Sequence, residues 1–260
     1  MYLSKQWRES RVISILAILG LALLLALVAR GAVAIDTVNF GDAPNHRGGF
    51  GAAFIPVFYI EAILVAFWGW LAAGIGTGKN LGEGGGSFLL TRPRRRAWFL
   101  WNDWGYAMAQ ITAIIVLTNL MIGLLAAHIL HLMDLPAAVE LTDGGDTVSL
   151  FVIMILVSVG VLLFAGLIYG ITYFSTILLK RAAGVMLGAG IIVAYLILQG
   201  LVGHYFPTTH LPNLTMSLFA FHHNAFYGFS GNLAVQIVVR AAVMMAFPIA
   251  AQLILERSEI

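Results

Sequence analysis

The sequence has no cysteine and very little charge. The absence of cysteine among its 260 residues excludes disulfide bonds, thiolate metal sites and cysteine nucleophiles. Charged residues make up 10% of the chain and hydrophobic residues 60%, whereas soluble globular proteins carry about 25% charged residues. No polar stretch is long enough for a soluble domain of ordinary size. The composition therefore predicts a single, integral membrane domain over residues 1–260.

The apolar residues form long runs without the alternation of an outer-membrane barrel strand, which favours helices. Six transmembrane helices are predicted at about 12–34, 51–76, 97–133, 148–179, 182–202 and 232–255. The first run could instead be a signal peptide, since Ala32-Val33-Ala34 resembles a cleavage site. Its apolar stretch is longer than the roughly 7–15 residues of a signal peptide, so we expect a retained helix. Residues 1–11 are typical of a short interfacial helix.

Lysine and arginine fix the expected orientation. They cluster at the N-terminus, in the 77–96 segment and at Lys180-Arg181, whereas the three alternate loops contain only Arg47. Because basic residues concentrate in cytosolic loops, both termini are predicted to lie in the cytosol. The net charge of +2 gives no reason to expect nucleic-acid binding, and membrane lipids are the expected surroundings.

One stretch superficially resembles a phosphate-binding loop, Gly74 to Asn80. That motif requires a serine or threonine after the lysine and a strand before the loop. Here Asn80 follows Lys79, and a predicted transmembrane helix precedes. We therefore expect no nucleotide or other cofactor in this chain.

The 77–96 segment is the most distinctive polar stretch. Gly84-Gly85-Gly86 permits a sharp reversal of the chain, and Ser87 can cap a short helix. Phe88-Leu89-Leu90 gives that helix an apolar surface with no core of its own, as expected of a docking element, and Pro93 ends it. The alternative is a flexible linker whose arginines, Arg94 to Arg96, only enforce the topology.

The pattern between the second and third predicted helices resembles the cytosolic coupling-helix segment of type-2 ABC exporter permeases. It consists of an acidic residue, Gly-Ser, hydrophobic residues, a small residue, a basic residue and proline: Glu83, Gly86, Ser87, Phe88, Leu89, Thr91, Arg92 and Pro93. The layout is similar too, with an N-terminal interfacial helix, six transmembrane helices, cytosolic termini and re-entrant outer helices, here at 203–231.

The resemblance implies a permease in the plasma (inner) membrane that pairs with a second permease subunit, most simply a second copy. It also implies two cytosolic ABC ATPase subunits, which would bind ATP and magnesium, so that this chain is not itself an enzyme. Glu83 and Arg92 would face polar ATPase residues, while Phe88 and Leu89 would fill a cleft. By the same resemblance, the aromatic segment 203–231 would close the pathway outside, or it could be an interfacial belt without a gating role. The residues assigned to this outer gate are Phe206, Phe219, Phe221 and Phe226.

Charged residues within apolar runs are costly and often functional. Glu61 and Arg240 fall at nearly equal predicted depth, so we expect an intramembrane ion pair, within or between subunits, and favour a structural role over substrate contact. Asp103 lies among Trp101 and Trp104, and we expect it in an aromatic belt at the cytosolic surface.

The alternative function is a membrane-anchor subunit of a redox, haem or other enzyme complex. It would use the seven histidines, all predicted on the outer side: His46, His128, His131, His204, His210, His222 and His223. Haem and zinc need ligands that converge, and these spacings favour interfacial hydrogen bonding instead. For a transporter, the mostly apolar pathway suits a lipid, an amphipathic peptide or a hydrophobic drug.

Overall fold

The computed structural model describes residues 15, 18–20, 23, 49–75, 96–133, 138–140, 147–179, 182–205 and 233–257. These residues form helices and one short β-hairpin. The helices are α1 (Gly49–Ile75), α2 (Arg96–Met133), α3 (Leu150–Leu179), α4 (Ala182–Tyr205) and α5 (Leu233–Arg257), and the strands are β1 (Ala138–Glu140) and β2 (Thr147–Ser149). The described residues of the first predicted transmembrane segment, at 15, 18–20 and 23, are helical as well.

The helical class is confirmed, and the bounds of α1 to α5 agree with the predicted segments to within a few residues. The hairpin is a difference, because a plain loop is predicted there. The antiparallel strands pair Ala138 with Ser149, Val139 with Val148 and Glu140 with Thr147. Valine and threonine favour strands, which accounts for pairing in so short a segment.

Three helices contain segments long and apolar enough to cross a membrane: Ala97–Met121, Val157–Leu179 and Ile237–Arg257. Two shorter apolar stretches, Ile60–Gly74 and Ala183–Tyr195, lie in α1 and α4. These lengths, set against a hydrocarbon core that needs about 20 residues, indicate a membrane protein. Residues 206–232, which hold most of the predicted re-entrant segment, lie outside the described part of the chain.

The chain divides into two compact units. Unit 1 comprises Met1–Val65, Thr112–Leu162 and Met216–Leu233, and unit 2 comprises Ala66–Ile111, Leu163–Thr215 and Ala234–Ile260. Helices α1, α2 and α3 therefore each contribute one part to unit 1 and the other part to unit 2.

In unit 2, α2 and α3 run in opposite directions. A Cβ atom at Gly166 would lie 3.3 Å from the Met108 sulfur. Farther along α3, the Tyr173 hydroxyl donates a long hydrogen bond of 3.5 Å to Asp103. As α3 advances, its contacts move backwards along α2, which defines an antiparallel pair.

Helix α4 packs very closely on α3 through two glycines spaced four residues apart. A Cβ atom at Gly184 would lie 2.5 Å from the Ser175 carbonyl oxygen, and one at Gly188 would lie 2.8 Å from the Thr172 Cα. Small residues at this spacing let two membrane helices bring their backbones together. The order of the contacts again shows antiparallel helices.

Helix α5 runs in the same direction as α3. Gly166 packs on Met244, and a Cβ atom at Gly170 would lie 3.3 Å from the Phe247 Cβ and 3.5 Å from the Met244 carbonyl oxygen. Pro248 lies within the helix, so this carbonyl lacks its usual i+4 donor. The glycine allows α3 to approach α5 where that backbone bond is missing.

Helix α1 also follows the direction of α3. A Cβ atom at Gly69 would lie 3.0 Å from the Ala165 carbonyl oxygen, and one at Gly74 would lie 3.2 Å from Val185. Val185 follows the α4 glycine that contacts Thr176 of α3. As α1 advances from residue 69 to residue 74, it therefore passes from the middle of α3 towards its end.

The alternating directions gather five helix termini at one end of unit 2, which we call the basic end. Residues 76–95 join α1 to α2 at this end, and Lys180-Arg181 joins α3 to α4. These connections carry six of the 14 lysine and arginine residues of the chain. The termini concerned are Ile75, Arg96, Leu179, Ala182 and Arg257.

We expect Gly184→Ala to lower the free energy of unfolding by about 1–3 kcal/mol, as overpacking does elsewhere, because the added methyl group meets backbone atoms that cannot rotate away. Gly190→Ala is the matched control on the same helix, since a Cβ atom there would have no atom of the described residues within 4 Å. Thermal unfolding of the two purified variants in detergent measures the difference. Equal midpoints would contradict the close packing of α3 and α4.

Candidate functional site

The described chain buries a small set of polar side chains among apolar ones. In hydrocarbon each such group must find a partner inside the protein, so these positions are the candidates for function. Unit 1 contributes Glu61, Thr118 and Asn119, and unit 2 contributes Asp103, Gln110, Thr172, Ser175, Thr176 and Arg240.

Glu61 is the most isolated of these groups. Its side chain is 0% exposed, and neither carboxylate oxygen has a hydrogen-bond partner among the described residues. Helical periodicity explains why Glu61 is buried. Val65 and Trp68, four and seven residues later, lie on the same face of α1 and are buried too. A carboxylate in this position has lost its hydration without compensation.

Asn119 joins α2 to α3 within unit 1. Its Nδ2 donates to the Ser158 hydroxyl at 2.8 Å and to the Ile115 carbonyl oxygen at 3.0 Å. The amide oxygen of Asn119 and the hydroxyl oxygen of Thr118 are buried and have no hydrogen-bond partner in the part of the chain that the structure describes. Both residues present unused acceptor oxygens to the interior of the unit.

Asp103 is buried, so the prediction of a carboxylate exposed at the cytosolic surface is wrong, whereas its position in an aromatic belt stays a prediction. The side chain is 2% exposed and receives the Tyr173 hydroxyl of α3. It lies on the face of α2 that also buries Leu100 and Ala107, three residues before it and four residues after it. The tryptophan neighbours in the sequence conceal this phase, because they occupy other faces of the helix.

A second polar contact ties the start of α2 to α5 near the basic end. The Trp101 indole N–H donates to the Gln252 side-chain oxygen at 2.8 Å, and Gln252 donates to Glu256 at 2.9 Å. Trp101 also packs edge-on against Trp104, with ring centroids 5.7 Å apart. The first turns of α2, which follow the 77–96 segment, are thus attached to the last turns of α5.

The predicted ion pair stays a prediction. Glu61 belongs to unit 1 and Arg240, which is 9% exposed on α5, belongs to unit 2. The residues predicted to couple to an ATPase and to form the outer gate lie outside the described residues: Glu83, Gly86, Ser87, Phe88, Leu89, Thr91, Arg92, Pro93, Phe206, Phe219, Phe221 and Phe226.

Within the described ranges, no group of three or more histidine, aspartate or glutamate side chains is placed to hold a metal ion. The polar residues that sequence reasoning missed are Thr118, Asn119 and Ser158. The sequence signal that could have identified the first two is an amide next to a hydroxyl, Thr118-Asn119, within an otherwise apolar run.

The hydrogen bond from Trp101 predicts a difference between two chemically identical substitutions on α2. We expect Trp101→Phe to lower the free energy of unfolding by about 1 kcal/mol more than Trp104→Phe does, because Trp101→Phe leaves the Gln252 side-chain oxygen without its donor. The Trp104 indole nitrogen is buried and has no hydrogen-bond partner within the described ranges, so its removal leaves no acceptor there unsatisfied. Thermal unfolding of both variants in detergent gives the comparison, and equal losses would contradict the bond.

Comparison of the chain with protein-family models, with curated proteins and with solved structures finds no match in any of the three. Its function is therefore inferred from its own sequence and geometry.

Proposed function

We propose that the chain is the permease subunit of an ATP-driven ABC exporter in the plasma membrane. It spans the membrane six times and pairs with a second copy of itself. Two cytosolic ABC ATPase subunits supply the energy. The observation that carries the proposal is the basic end of unit 2, where the helix termini joined by the 76–95 connection meet those joined by Lys180-Arg181.

The positive-inside rule supports a cytosolic location for this end. The 77–96 segment contains four arginines directly after Phe88-Leu89-Leu90, namely Arg92, Arg94, Arg95 and Arg96. Anionic lipids attract each basic residue near the membrane surface by about 1 kcal/mol. If the arginines bind the lipid headgroups, Phe88, Leu89 and Leu90, which precede them, would face the cytosol. A partner protein that buries these three side chains would gain hydrophobic stabilisation.

The contacts of α2 suggest how a docked ATPase would act on the helices. Because α2 begins where the 77–96 segment ends, a movement of this segment would also move the first turns of α2. These turns contact α3 through Asp103 and Tyr173 and α5 through Trp101 and Gln252. ATP-driven closure of the two ATPases would therefore displace α2, α3 and α5 together rather than one helix alone.

The many apolar and few charged side chains of the described helices favour an apolar or amphipathic substrate. The described helices expose large hydrophobic side chains and bury few charged ones, namely Glu61, Asp103 and Arg240. A free ion or a highly charged metabolite would find few partners along such surfaces. A lipid, an amphipathic peptide or a hydrophobic drug would find many.

We expect the double variant Phe88→Asp, Leu89→Asp to insert in the membrane but to lose co-purification of the ABC ATPase. Two carboxylates in an apolar contact would oppose its burial. The matched control is Leu135→Asp, Leu141→Asp, which adds the same charge to the loop predicted outside. The measurement is the yield of ATPase recovered with the tagged permease.

Retention of the ATPase by the Phe88, Leu89 variant would contradict docking at this segment. A purified wild-type protein that carries a Soret band and no ATPase would instead identify a membrane-anchor subunit of a haem complex.

The topology can be tested by labelling single introduced cysteines, because the chain contains no cysteine of its own that would react. We expect Ser87→Cys to react with a membrane-impermeant maleimide only in inverted vesicles, and Thr142→Cys only in intact spheroplasts. The unsubstituted chain is the control for non-specific labelling. Labelling of both sites from one side would contradict the proposed six-helix arrangement.

A further inference from the structure

Glu61 and Thr118 lie at the same level of unit 1. The register is set in unit 2, where a Cβ atom at Gly69 would lie 3.6 Å from the Ile111 Cδ1. Helices α1 and α2 continue without interruption from these residues, in opposite directions. Eight residues before Gly69 is Glu61, and two turns beyond Ile111, on the same face of α2, is Thr118.

The neighbouring residue brings in a third helix. Asn119 donates to the Ser158 hydroxyl of α3 at 2.8 Å, so α3 carries a polar group at this level too. Glu61, Thr118, Asn119 and Ser158 all belong to unit 1. Three helices therefore each bring polar groups to one level of the unit, which we call the oxygen cluster.

Four oxygen atoms of the oxygen cluster are buried without a hydrogen-bond partner among the described residues: both carboxylate oxygens of Glu61, the Thr118 hydroxyl and the Asn119 amide oxygen. The donor side of Asn119 is already committed to Ser158 and Ile115. The Thr118 hydroxyl could donate as well as accept, but it makes no hydrogen bond with another described residue. A fully buried carboxylate without a donor is strongly unfavourable unless a positive charge compensates it.

We propose that Glu61, Thr118 and Asn119 form a buried binding site for a monovalent metal cation such as Na⁺. Carboxylate, amide and hydroxyl oxygens are the ligands that hard cations prefer. One carboxylate balances a single positive charge, whereas a divalent ion would leave an uncompensated charge in the apolar interior. One metal ion can contact several oxygens at once, while a single added proton satisfies only one of the carboxylate oxygens.

The site replaces the pairing predicted from the sequence, since it neutralises Glu61 without Arg240. It also goes beyond the proposed transport function and needs no ATPase for its test. Loss of ATPase binding would leave the cation site untouched, and absence of the cation site would leave the exporter proposal untouched.

The test is thermal unfolding of the purified full-length protein in lipid nanodiscs. NaCl replaces choline chloride at constant ionic strength and constant pH. We expect a saturable rise in the midpoint of roughly 5–10 °C at a hundredfold excess of Na⁺ over its dissociation constant. Glu61→Gln should abolish this rise. Thr118→Val should shift it to at least about tenfold higher Na⁺, since losing even an outer-shell partner of a metal typically costs that much affinity. Glu256→Gln, a substitution at an exposed carboxylate of α5, is the matched control and should keep the full rise.

Equilibrium binding of ²²Na⁺ covers the case in which Glu61→Gln is too unstable for unfolding measurements. Wild-type and Glu256→Gln protein should bind about one ion per chain, and Thr118→Val should bind it more weakly. A wild-type midpoint that ignores Na⁺ and follows pH alone would mean a protonated carboxyl group and would overturn the proposal. So would a Glu61→Arg, Arg240→Glu double variant whose stability recovers from that of the single variants, because that rescue would establish the ion pair.

Discussion

The close approach of other helices to α3 is the constraint on which unit 2 depends. Gly166 and Gly170 of α3 admit α5, and Gly184 and Gly188 of α4 bring the backbone of α4 against it. In lipid there is little hydrophobic force between helices, so packing and hydrogen bonds must hold them. Small residues make this packing possible at backbone distance, and they fix which residues of each helix share a level. The alternating directions, and with them the basic end, follow from that register.

The sequence predicts the helices well and their faces poorly. Long apolar runs define the bounds of α1 to α5 because a membrane helix needs only length and hydrophobicity. In α1 and α4 apolar residues occur on every side, so no amphipathic stripe reveals which face is buried. The burial of Asp103, the joining of Asn119 to Ser158 and the contacts of Gly184 all depend on helical phase relative to a neighbour. That information lies in the assembled helices and not in any one of them.

Buried polar groups serve different ends in the two units. In unit 2 some of them are paired, as where the Tyr173 hydroxyl donates to Asp103, whereas the Thr172 hydroxyl has no hydrogen-bond partner among the described residues. In unit 1 the Glu61 carboxylate, the Thr118 hydroxyl and the Asn119 amide oxygen also lack partners within the described part of the chain. Paired groups join helices at a modest gain in stability, whereas the unpaired oxygens of unit 1 are the ones that we propose to bind a cation.

Helix α2 connects these two regions. It runs as one helix of 38 residues, about 57 Å at 1.5 Å per residue, which exceeds the roughly 30 Å of the hydrocarbon core. One of its ends follows the 77–96 segment, and Thr118 and Asn119 lie about six turns farther along. The contacts that attach the start of α2 to α3 and α5, and the buried oxygens of Thr118 and Asn119, therefore lie on one continuous helix. The polar residues of α2 thus serve as interhelical contacts in unit 2 and as the proposed cation ligands in unit 1.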